Sequence, residues 1–430
     1  MNCRWKLLAV FVIASVVLNS CKTDKKETIE SNQKMTAKDI LGNPDYLAIS
    51  YGGYRDTTRT IQPTVDELKE DLKILSAIGV GILRTYNVQP DKPHAANILK
   101  AINELKQEDQ AFEMYVMLGA WIDCKNAWTG LPVDHDVESE SNTGEIARAA
   151  ALARQYPDIV KVLAVGNEAM VKWAESYYVQ PDIILKWVNH LQGLKQSGDL
   201  PKDLWITSSD DFSSWGGGDS IYHVPALEEL IKAVDYVSMH TYPMHNTFYN
   251  PFFWGISEQE ADLSKEEQIN LAMNRSVDFA KDQYQKVKAF VESIAPGKPV
   301  HIGETGWATV DSENHHYGKN GTRATDEYKE ALYYQKMREW TNSEGISCFY
   351  FEAFDEKWKD ANSPQGSENH FGLITVDGQA KYALWDLFDQ GAFNGQTRGG
   401  KSLTKTFEGD QEKVLEEAFV PPINSNVKAK

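Results

Sequence analysis

The chain has 430 residues, 42% hydrophobic and 25% charged, which is ordinary for an enzyme with one large domain and a sizeable core. Its 62 acidic against 44 basic residues leave a formal charge of −18. That balance repels nucleic acid and disfavours a polyanionic glycan unless the cleft is locally basic, so a neutral ligand fits better.

The N-terminus reads as an address. Arg4 and Lys6 precede an apolar run from Leu7 to Leu18, too short to span a bilayer as a helix, so residues 1–20 are expected to be a signal peptide. The run ends in Leu18-Asn19-Ser20-Cys21, which resembles a bacterial lipobox. Cleavage before Cys21 would leave a lipid-bearing N-terminus, anchoring the protein in the cell envelope, at the outer membrane, on the periplasmic or the outer side. An ordinary secretory cleavage is the alternative. Polar residues 21–40 then read as a flexible tether. Cys124 and Cys348 are expected to be buried free thiols, a disulfide between them being the other reading.

Eight β-rich runs follow: Tyr46 to Tyr54, Gly81 to Val88, Glu113 to Trp121, Val160 to Asn167, Trp205 to Asp210, Tyr236 to Tyr242, Val300 to Glu304 and Ser347 to Phe354. Amphipathic stretches alternate with them: Thr64 to Ile78, Ala95 to Lys106, Gly144 to Gln155, Asp182 to Gln196, Val224 to Ala233, Leu263 to Ala295 and Thr325 to Ser343. The alternation predicts an α/β fold, a (β/α)8 TIM barrel over residues 41–390 with enlarged loops at its C-terminal face. An open doubly wound sheet is the runner-up, but no Gly-x-Gly-x-x-Gly follows the first strand and no cofactor is expected. Polar, Gly-rich residues 391–430 read as a C-terminal extension, packed on the barrel or loose from it.

Two glutamates end apolar runs where a barrel enzyme keeps its carboxylates: Glu168 in Leu163-Ala-Val-Gly-Asn-Glu-Ala and Glu304 in His301-Ile-Gly-Glu-Thr-Gly-Trp. The pair suggests the acid and the nucleophile of a retaining glycosidase, with helix caps or surface ion pairs as the bland alternative. Asn167, whose amide can hold a sugar hydroxyl, suits Glu168 to the acid/base role. Gly303 and Gly306 would let a sugar ring approach Glu304, and Trp307 would offer a stacking face. His240, His245, His315 and His316 raise a metal site, but His240 and His245 straddle Pro243 and no His-Glu-x-x-His occurs, so no metal is expected. A Ser-His-Asp hydrolase is disfavoured because no Gly-x-Ser-x-Gly elbow exists.

Six motifs in order carry a resemblance: Arg84-Thr-Tyr-Asn, Val165-Gly-Asn-Glu, Tyr242-Pro, Gly303-Glu-Thr-Gly-Trp, Phe351-Glu-Ala-Phe-Asp-Glu-Lys-Trp-Lys and Glu368-Asn-His-Phe-Gly-Leu. From about Tyr46 to Tyr382 the chain resembles glycoside hydrolase family 17, the β-1,3-glucanases and related glucanosyltransferases. The resemblance implies Glu168 as acid/base and Glu304 as nucleophile. It also implies a charged cluster of Glu356, Lys359 and Glu368 beside the nucleophile, with Tyr86, Asn167 and Tyr242 holding the sugar. A solvated loop is the plain alternative for that cluster. Ala308 departs from the family, many of whose members have proline there, and the segments Trp121 to Gly144 and His245 to Lys265 look enlarged. Their aromatics, Trp121, Trp128, Phe248, Tyr249, Phe252, Phe253 and Trp254, are expected to form sugar subsites.

The expected function is hydrolysis of a neutral, laminarin-like β-1,3-glucan. A glucanosyltransferase on the same site and a non-catalytic cell-surface glycan-binding protein are the alternatives.

Overall fold

A computed structural model describes residues 34–427. The expected signal peptide and Cys21 lie outside the described residues, as does most of the expected tether. Among the described residues no helix is long and apolar enough to cross a membrane.

Eight strands close a barrel: β1 Leu47–Ser50, β2 Val80–Arg84, β3 Tyr115–Ala120, β4 Val160–Asn167, β5 Trp205–Asp211, β6 Val237–His240, β7 Val300–Gly306 and β8 Cys348–Phe351. Neighbours in sequence are neighbours in the barrel, β8 pairs back onto β1, and every pairing is parallel. These are the eight expected runs, trimmed where the chain leaves the ladder. The near-continuous apolar character of β2, β3 and most of β4 follows from burial on both faces, whereas β5 is polar from Thr207 onward.

The crossover helices are α1 Val65–Ala77, α2 His94–Glu108, α3 Ser141–Gln155, α4 Pro181–Ser197, α5 Pro225–Ala233, α6 Lys265–Ile294 and α7 Glu327–Ser343, with the short α8 Trp385–Asp389 after β8. Local chemistry sets several starts. Thr64 and Ser264 cap α1 and α6 in reciprocal boxes with Glu67 and Glu267, and Pro181 and Pro225 open α4 and α5. The apolar stripes of the helices bury against the outer faces of the strands in one large core.

A second, smaller core fills the lower barrel and corrects the tether boundary. The compact body begins at Met35 rather than residue 41. Ala37–Ile40 form a helical turn, and Ala37, Ile40 and Leu41 are buried against Ile82, Met117, Val162, Tyr236 and Phe349. This turn plugs the floor of the barrel, opposite the mouth where the two glutamates stand.

The C-terminal extension packs on the barrel. Its hairpin of Thr397–Arg398 and Lys401–Ser402 brings Arg398 Nε 2.9 Å from Asp71 on α1, a carboxylate that also takes Arg55 Nη2 at 2.8 Å and the Tyr51 hydroxyl at 3.0 Å. Cys124 and Cys348 are free and buried.

Candidate active site

The carboxyl-terminal ends of the strands deliver the polar groups. Arg84 ends β2, Asn167 ends β4 with Glu168 next, His240 ends β6, and Glu304 stands near the end of β7. Glu168 has a left-handed backbone (φ 47°), uncommon for a residue with a side chain and typical of positions held by their surroundings for a purpose. Its amide donates to Ser209 O on β5 at 3.0 Å, fixing the turn.

Glu304 is held from three sides. Arg84 Nη1 donates to Oε2, Tyr86 OH donates to Oε2 at 2.9 Å, and Tyr242 OH donates to Oε1 at 2.6 Å. Burial alone would push this carboxyl up, but the Arg84 guanidinium and the two hydroxyls outweigh it and hold the pKa down at about 2. Glu168 lacks such partners. Burial, followed by the negative charge of Glu304, pushes it up to about 8, against a smaller opposing pull from Arg84. A carboxylate oxygen of Glu168, one of Glu304 and a ring nitrogen of His240 all lie within 4.8 Å of one another. One carboxyl is therefore protonated and its neighbour ionised at neutral pH, the division of labour that acid and nucleophile require.

His240 Nδ1 lies 3.0 Å from Glu168 Oε1 and its Nε2 2.8 Å from Ser209 Oγ. Burial lowers its pKa to about 4, so it is neutral at pH 7. The trio has donor types found in metal sites, but Arg84 already supplies the positive charge at Glu304 and His240 is engaged at both nitrogens. The arrangement suits proton transfer and attack by a carboxylate.

Arg84 Nη2 also donates to Asn167 Oδ1, which leaves the Asn167 amide N–H groups for a sugar hydroxyl. The glutamates open into a cleft of about 1550 Å³, also lined by Trp173, Tyr242, Tyr249, Phe351, Glu368 and Phe371.

Several expected positions fall elsewhere. Trp307 is fully buried, its Nε1 donating to Ala324 O, and it offers no stacking face. Trp254, 2% exposed, packs against Trp307 and donates to Thr322 O, so it is core and not a subsite wall. Phe253 is buried and stacks on Phe279. Phe248 stands half out of the surface and stacks on His316, whereas Tyr249 and Phe252 line the cleft. Gly303 and Gly306 serve the barrel rather than a sugar: a Cβ at Gly303 would collide with Ser238 Oγ and Ser209 Oγ, and one at Gly306 with Phe351 O. In the charged cluster, Lys359 pairs with Glu356 at 3.5 Å and with Glu352, while Glu368 is exposed on the cleft wall. Sequence reasoning named Arg84 and Glu352 only within motifs, without a role, and weighed His240 only as a metal ligand. For Arg84, a charged residue closing the apolar run Val80 to Leu83 was the available signal.

Known proteins resemble the chain over most of its length. The BtgE/BtgC glycoside hydrolase domain matches residues 48–372. A glucan 1,3-beta-glucosidase of Arthroderma benhamiae is 26% identical over 325 residues, 74% of this chain and 83% of that protein. The crystal structure of an endo-laminarinase from Formosa is 62% identical, covers 92% of this chain and 100% of that one, and superposes with a TM-score of 0.90. A Rhizomucor miehei beta-1,3-glucanosyltransferase, an active-site mutant in complex with laminaritriose, shares the fold at 20% identity and a TM-score of 0.53, over 79% of this chain and 96% of that one.

Proposed function

The chain belongs to the BtgE/BtgC glycoside hydrolase domain family, and from that premise we propose that it hydrolyses β-1,3-glucan with retention, Glu304 as nucleophile and Glu168 as acid/base. The observation that carries this reading is the carboxyl pair, within 4.8 Å and with pKa values driven apart. Retaining enzymes place the two groups ~5–5.5 Å apart, whereas inverting enzymes leave ~6.5–9.5 Å for a water. In the first step a Glu304 oxygen bonds to the anomeric carbon. The glycosidic C–O bond breaks, its electron pair stays on the leaving oxygen, and Glu168 protonates that oxygen. In the second step water attacks the anomeric carbon, Glu168 takes its proton, and the Glu304 ester bond breaks. Tyr86 and Tyr242 hold the nucleophile, and Asn167, set by Arg84, can hold the sugar beside the reacting carbon. The relatives' printed activities support β-1,3-glucan as the substrate.

Chemical rescue tests the roles. With an activated aryl glucoside, Glu168→Ala should regain turnover in azide and give a β-linked azide product. Glu304→Ala should give the α-linked azide. Swapped configurations would reverse the assignment, and full activity of either variant without azide would remove that residue from the mechanism. We also propose that a lipid on Cys21 attaches the protein to a membrane in the cell envelope.

A further inference from the structure

Beyond Glu168, the loops after β3 and β4 converge on an aromatic surface outside the main cleft. Trp128 stacks on Tyr177 with ring centroids 5.2 Å apart and planes at 24°, and Trp121 lies 5.1 Å from Tyr177. Trp128 is 63% exposed and its backbone is left-handed (φ 64°), a conformation that a bulky side chain rarely adopts. A residue serving only as core would be covered; here the loop bends unfavourably to hold an indole out in water. Outliers of this kind cluster at binding sites.

The surface is also clamped. A hairpin of Cys124–Lys125 and Asp134–Glu138 is tied to the segment after β4 by Cys124 N to Tyr177 O at 3.1 Å, Gln180 N to His135 O at 3.2 Å, and His135 Nδ1 to Tyr178 O at 2.7 Å. Close to both indoles is Asp123, 7% exposed, with its Oδ1 buried and without a hydrogen-bond partner. Burial raises the pKa of its carboxyl, against smaller downward pulls from the Ser139 hydroxyl and then from the indoles of Trp121 and Trp128. A pyranose ring needs this combination: flat faces for its C–H side and a carboxylate for the hydroxyls at its rim.

Position gives the direction. Tyr177 lies on the segment that follows Glu168 at the end of β4, and Cys124 N donates to its carbonyl, so the surface lies on the Glu168 side. Trp173, 61% exposed on the same segment, lines the cleft together with Glu168. We propose that Trp121, Trp128, Tyr177 and Asp123 form a binding platform for a glucose unit on the leaving-group side of the bond that is cut. The role rests on the retaining reading above. In the second step the platform also holds an acceptor sugar: its hydroxyl oxygen bonds to the anomeric carbon in place of water, its proton passes to Glu168, and the Glu304 ester breaks.

Trp128→Ala, Trp128→Phe and Asp123→Asn test this with two substrates, a β-1,3-linked glucohexaose and a nitrophenyl glucobioside whose leaving group is too short to reach the platform. Loss of one stacking contact should raise KM for the hexaose by about threefold to tenfold and leave kcat within about twofold. KM for the nitrophenyl substrate should not move, and Trp128→Phe should recover part of the loss. The share of transfer products at high hexaose concentration should fall in Trp128→Ala. Unchanged KM for the hexaose, or an equal rise for both substrates, overturns the platform. The configuration of the first sugar released by the wild type, read by NMR, tests the retaining step separately: inversion would sink that step whatever the Trp128 variants do.

Discussion

Arg84, closing β2, lays its buried guanidinium against the carboxylate of Glu304 on β7, across the barrel mouth. The same fork reaches Asn167, so a single side chain sets both the charge of Glu304 and the orientation of the amide. Arg84→Met should raise the Glu304 pKa and move the acidic limb of kcat/KM upward, with a loss of at least about a hundredfold, typical for removal of one preorganised donor. Arg84→Lys should restore the charge but not the fork, and recover only part. An unmoved acidic limb in Arg84→Met would mean that the two tyrosines suffice.

The wild-type pH profile follows from the same pair. In the proposed mechanism Glu168 acts only while protonated, so activity should fall as pH rises through about 8. Glu304 works only while ionised, so the acidic loss should come toward about 2, unless the fold gives way first. Because the charge of Glu304 helps to hold Glu168 up, Glu304→Gln should lower the Glu168 pKa. A carbon-13 NMR titration of the glutamates would read this, and an unchanged value would leave burial as the whole cause.

Ile40 plugs the barrel floor and is fully buried. Ile40→Ala should cost ~2–5 kcal/mol by loss of burial and the cavity left behind. Urea unfolding measures this, and a loss under about 0.5 kcal/mol would place the turn outside the cooperative unit.

Trp254→Ala should act on stability rather than on substrate. Its indole is packed on Trp307, and truncation of a buried tryptophan costs ~3–5 kcal/mol. The folded fraction should keep the wild-type KM for β-1,3-glucan; a several-fold rise would return this residue to the cleft wall.

Attachment through Cys21 predicts that an exported Cys21→Ala protein is released from membranes, since stable anchoring takes more than one acyl chain. Fractionation with full retention of the variant would require another contact.

All eight strands were legible because a closed parallel barrel buries both faces of each strand and leaves apolar runs that turn signals interrupt. Glu168 and Glu304 were legible for a related reason: a carboxylate at the end of such a run has no core reason to be there. Trp254 and Trp307 were not. An aromatic in a loop reads alike whether it faces water or a neighbour, and these two are covered by one another and by Tyr333, contributed by α7. His240 was weighed only as a metal ligand, because its partners Glu168 and Ser209 lie 72 and 31 residues away and only barrel closure joins them. Residues 35–40 carry too few apolar groups to signal a plug, and their value comes from the hollow that they fill.

Asp71 and Arg398 are 327 residues apart in the chain and fully interior when paired. On a ribosome Asp71 emerges after Arg55 but long before Arg398, so its carboxylate must wait for its second cation. Contacts of such separation make closure slow and place it late. The hairpin of Arg398 therefore acts as a latch: a chain shortened before Arg398 should keep Arg55 on Asp71 but lack the second cation, and be prone to protease even where every strand and the whole catalytic mouth have been made.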